Sequence, residues 1–112
     1  MPTLHEMEQL LDQVSNRLRD EPDSRHTVLE MATVLTLLAH WLEDAVPAWA
    51  DEPGRTADDR ATARALLLLI DDGLTWIRNR RDVAPVADLL GHVQLALTAA
   101  RRLIDMLRGE SS

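Results

Sequence analysis

The sequence contains no cysteine, lysine, phenylalanine or tyrosine. Without cysteine there is no disulfide framework, thiolate nucleophile or Cys-ligated metal, which suits a reducing compartment and makes the cytoplasm the default expectation. With three tryptophans as the only aromatic residues, the aromatic and basic interleaving of an RNA-binding surface is missing. The longest apolar run is Ala65–Ile70, far short of the roughly 18 residues of a membrane span. Met1–Glu6 lacks the basic and then apolar pattern of a secretory signal. Positive charge is also scarce: 12 arginines face 19 acidic residues, for a net charge of −7. That balance opposes binding to nucleic acid or an anionic membrane unless a local basic patch compensates, and no large basic face is visible. The arginine-only, alanine- and leucine-rich composition reads as the coding bias of a GC-rich, bacterial genome.

What is present is helical periodicity. The 112 residues, 46% hydrophobic, suffice for one domain with a small core. Four segments with a helical period, about 4–20, 24–45, 56–80 and 83–108, account for nearly the whole chain, and no segment alternates as a strand would. The expected fold is all-α, a four-helix bundle, mostly antiparallel, with short loops and one longer loop between helices 2 and 3. Thr3 and Glu6 have the spacing of a capping box, and Thr56 with Asp59 approximates a second. Pro22 closes helix 1, and Asp23 or Ser24 can cap helix 2. Pro47 is expected to limit helix 2, leaving Pro47–Gly54, with Trp49 inside it, as a mobile loop. Asp82 is a candidate cap for helix 4, placing Pro85 in its first turn, and Gly109 stops it.

Projection at about 100° per residue shows surplus apolar surface on three helices. Beside the main stripe of helix 2 lie Val34, Leu37 and Trp41. Helix 3 has a flanking row of Ala65, Leu69, Gly73 and Trp76, with Asp72 beside it and a glycine that would permit close helix approach. On helix 4 Leu95, Ala99 and Met106 turn to the side. Either the middle helices of an irregular bundle need apolar arcs of about 200°, or another chain covers these rows. The second alternative implies a two-fold homodimer anchored by Trp41 and Trp76, with Asp72 meeting a partner arginine, or the same surface binding a different protein.

Catalytic and metal chemistry find little support. The Glu-x-x-His pairs of di-metal bundles do not occur. His40 with Asp44, and Asp88 with His92, stand one helical turn apart, a spacing compatible with two ligands of one ion and equally with solvated surface pairs. A solvent-facing histidine in the second helix invites comparison with histidine phosphotransfer domains. Here, however, Glu43 and Asp44 stand where those domains carry a lysine and a small residue, and both would repel a phosphoryl group. Asp71 and Asp72 have no third aspartate at the spacing of a diphosphate site. The arginines at 78, 80 and 81 and at 101, 102 and 108 suit helix C-termini. The expectation is therefore a small acidic, non-enzymatic interaction or regulatory protein, without cofactor or metal. It would bind a protein target through an apolar helix surface, as anti-activators, inhibitors and antitoxins do. The alternative is a bundle whose Trp41, Trp49 and Trp76 line a pocket for a small hydrophobic ligand; a metal-binding bundle has less support.

Overall fold

The computed structural model describes residues 3–109. It contains four helices, α1 (Leu4–Asp20), α2 (Arg25–Ala50), α3 (Ala57–Arg80) and α4 (Val86–Arg108), and no strand among the described residues. The last three have 26, 24 and 23 residues, or about 35–39 Å each at 1.5 Å per residue. They fit within a body of 45 × 24 × 23 Å, so each short connection has to reverse the chain, which gives the expected four-helix bundle.

Local capping chemistry sets three of the four starts. The Glu6 amide donates to Thr3 Oγ1 at 3.2 Å, while the Thr3 hydroxyl donates to the Glu6 carboxylate at 3.4 Å. The box at Thr56 closes reciprocally, with the Asp59 amide on Thr56 Oγ1 (3.0 Å) and the Thr56 amide on Asp59 Oδ2 (3.4 Å). Ser24 caps α2 through the Thr27 amide at 3.2 Å. Helix α4 departs from expectation. Its N-cap is Pro85, with no side-chain cap, and Asp82 remains in the preceding turn. That turn is held from outside: Arg25 donates to the carbonyls of Arg81 and Ala84, each at 2.6 Å. At the far end Gly109 takes φ +89° and returns its amide to the carbonyls of Asp105 and Met106, as a helix stop requires.

Helix α2 also corrects the sequence reading. It does not end at Ala45 but continues through Pro47 to Ala50. Proline inside a helix costs about 3 kcal/mol. The added turn buries Val46 and Trp49, and a tryptophan covering roughly 200 Å² returns about 5 kcal/mol at 25 cal/mol per Å². Trp49 is therefore core rather than part of a mobile loop. The Arg55 guanidinium lies 4.4 Å from its ring centroid and donates through Nε to its carbonyl at 3.2 Å. The connection to α3 shrinks to residues 51–56, still the longest of the three.

Helices α2 and α4 each pack against all three others, whereas α1 and α3 each touch only α2 and α4. That asymmetry explains part of the surplus apolar surface, on α4. Ala99 and Met106 do not flank the bundle as expected; both are buried, at 5% exposure. They lie on the arc of α4 that includes Ala96 and Leu103, which the extensive α3–α4 packing covers. A helix with three neighbours needs a wide apolar arc. A helix with two does not.

Candidate interaction surface

Helix α3 has two neighbours, yet its outward face carries Leu68 and Leu69, exposed by 57% and 61%. Beside it on α4 stands Leu95, exposed by 69%. Between the two helices opens a groove of about 320 Å³ lined by Leu69, Asp72, Gly73 and Trp76 from α3 and by His92 and Leu95 from α4. Five of the ten residues expected from sequence to meet a partner thus line one concavity. Val34, Leu37 and Trp41 do not line it. They lie on α2, where Leu37 is exposed while Val34 and Trp41 are half-buried against the core.

The wall of the groove is ordered by aromatic packing. Trp76 and His92 stack with ring centroids 3.8 Å apart and planes inclined by 4°. The Arg80 guanidinium carbon lies 4.9 Å from the Trp76 centroid, within cation–π range. His92 Nδ1 donates to the Asp88 carbonyl at 2.9 Å. Because a carbonyl only accepts, this bond places the proton on Nδ1 and leaves Nε2 as the lone-pair nitrogen of the neutral ring. His92 is the member of the site that sequence reasoning missed. Its spacing to Asp88 drew attention to metal ligation, but it contacts the backbone of Asp88 and the ring of Trp76.

Gly73 forms the floor, though not by necessity of close packing. A Cβ there would lie 3.6 Å from the His92 carbonyl and 3.9 Å from Ala96 Cβ, ordinary contact distances. The glycine keeps the groove deep rather than letting the helices meet. Asp72 sits at the rim, exposed, with no ion-pair partner among the described residues.

A second concavity, between α2 and α3, is polar, with Thr36, His40, Glu43, Asp71, Thr75 and Arg78 on its walls. Burial raises the Asp71 carboxyl above its ordinary value, and the negative charges of Glu43 and Asp72 raise it further against a lowering influence from His40. His40 Nδ1 is 3.8 Å from the Glu43 carboxylate. Among the described residues no three His, Asp or Glu side chains converge as a metal site would require, so neither histidine–aspartate pair gains a third ligand. Among the described residues the three tryptophans are placed differently: Trp49 is core, Trp41 is half-buried on α2, and Trp76 belongs to the α3–α4 groove.

No helix among the described residues is long and apolar enough to cross a membrane. Comparison with protein-family models, with curated proteins and with solved structures found no match. The functional reading therefore rests on the surface itself.

Proposed function

We propose that the chain is a non-enzymatic interaction protein, of the regulatory or inhibitory kind, that binds a basic segment of a protein partner in the α3–α4 groove. An apolar side chain of a partner helix enters between Leu69, Trp76 and Leu95, and an arginine or lysine beside it meets Asp72. The observation that carries this reading is the outward apolar face of α3, a two-neighbour helix whose own bundle leaves Leu68 and Leu69 uncovered. Large exposed apolar side chains grouped around a concavity mark interaction surfaces. The unpaired rim carboxylate and the net charge of −7 favour a basic partner, by long-range attraction and by a charge-assisted bond. The cysteine-free, arginine-only composition supports a reducing bacterial cytoplasm as its setting.

Two helical peptides test the reading, both with leucines at helical spacing and one flanked by arginine, the other by glutamate. The arginine peptide is expected to shift the amide resonances of Leu69, Gly73 and Leu95, to weaken as salt rises, and to lose binding to a Leu69→Glu, Leu95→Glu double variant that remains folded. An equal response to both peptides, or none, would sink the proposal. Light scattering over a dilution series separates the competing occupant: a wild-type dimer that the same double variant converts to a folded monomer would assign the face to a second copy of the chain.

A further inference from the structure

On the opposite flank of α3 from Trp76, the α2–α3 seam opens into a cleft of about 280 Å³. Its floor is apolar, from Leu29 and Ala32 of α2 and Leu74 and Ile77 of α3. Its two threonines have turned their hydroxyl protons inward: Thr33 donates to the Leu29 carbonyl at 3.1 Å and Thr36 to the Ala32 carbonyl at 2.9 Å. The remaining lining residues are Arg78 and Arg81, one helical turn apart, whose guanidiniums are the charged donors of the cleft.

These two arginines carry uncompensated charge at the rim of the cleft. With acidic residues in excess, several other arginines of the chain do find partners. Arg17 meets Glu21 and Glu30, Arg55 meets Glu52, and Arg101 meets Asp12. Arg25 and Arg60 donate to backbone carbonyls, and Arg80 lies over Trp76. Among the described residues, no carboxylate lies within ion-pair distance of Arg78 or Arg81. The helix dipole favours cations in the last turn of α3 but is indifferent to their direction around the axis. Both guanidiniums nevertheless belong to the α2 side, at the edge of an apolar floor.

We infer that this cleft binds a small amphipathic carboxylate, its short alkyl or single-ring body on Leu29, Ala32, Leu74 and Ile77 and its carboxylate held by Arg78 and Arg81. Planar guanidiniums match a carboxylate in charge and fork geometry, and the volume is at the small end of ligand sites. Along the seam from Arg78 the walls become acidic at Glu43 and Asp71. That repulsion orients the ligand with its anionic end at Arg78 and Arg81. The site is independent of the α3–α4 groove and shares no lining residue with it.

Titration of the full chain with octanoate, and with octanol as its uncharged counterpart, followed by amide chemical shifts, tests the inference. Octanoate is expected to give saturable shifts centred on Leu29, Thr33, Leu74 and Arg78, with octanol at least about tenfold weaker. Arg78→Gln and Arg81→Gln should each weaken octanoate by about tenfold or more, the loss expected for a charge-assisted bond, with unchanged thermal melting. The Leu69→Glu, Leu95→Glu variant should bind octanoate as wild type does. Equal affinity for octanol, wild-type affinity in both arginine variants, shifts centred on Leu69 and Leu95, or no saturation at millimolar octanoate would each overturn it.

Discussion

Trp76 of α3 and His92 of α4 lie face to face, ring centroids 3.8 Å apart and planes within 4° of parallel. This contact joins the two most extensively packed helices at the wall of a groove rather than in the core. It makes Trp76 a partly covered, oriented surface that a partner can meet without first ordering it.

Trp76 and the core should consequently respond differently to truncation. Leu35→Ala and Leu89→Ala, both at sites almost fully buried, are expected to lower stability by about 2–5 kcal/mol in urea unfolding. Trp76→Ala should cost less in folding but reduce partner binding by about 2 kcal/mol, as an interface anchor does. A loss of folding stability in Trp76→Ala equal to that of the leucines would show that the groove wall is core.

Gly73→Ala separates stability from binding in the opposite sense. The added methyl meets only ordinary contacts, and alanine inside a helix is favoured over glycine by roughly 0.5–1 kcal/mol. The variant is expected to melt several degrees higher, yet to bind the partner helix less tightly because the groove floor has risen. A lower melting temperature would mean that α3 and α4 do require glycine at their crossing.

The Asp71 carboxyl has its affinity for a proton raised by folding. A raised carboxyl favours the folded state while protonated, so stability is lost as pH rises from the ordinary value of 3.8 through the higher folded one. Asp71→Asn should therefore melt above wild type near neutral pH. The difference should fade as pH falls below 3.8, where Asp71 is protonated in both states. A difference independent of pH from 3 to about 7 would assign the effect to packing instead.

Arg25, half-buried, is expected to matter to the fold because it ties the start of α2 to two carbonyls of the α3–α4 turn. Arg25→Ala should cost about 1–3 kcal/mol and increase hydrogen exchange of the amides of Val83 and Ala84, both of which bond to the Arg80 carbonyl. Arg25→Lys should restore little, since a single ammonium lacks the fork that reaches both carbonyls.

What was legible in the sequence was local. Thr3, Ser24 and Thr56 cap their helices as hydroxyls before helical segments should, and Gly109 ends α4, because a cap depends on residues three or four positions away. The stripe of Met7, Leu11, Val14 and Leu18 is buried on α1 as its period demands. Burial of Trp49 overrode the local rule at Pro47, and Arg25, distant in sequence, held a turn that Asp82 was expected to cap. The division of the flanking rows was likewise tertiary. Ala99 and Met106 became core while Leu69 and Leu95 stayed exposed, and His92 joined Trp76 instead of an aspartate. Periodicity fixes a side chain's angle around its own helix, but how many other helices surround that axis, and at which angles, is decided only when the four pack together.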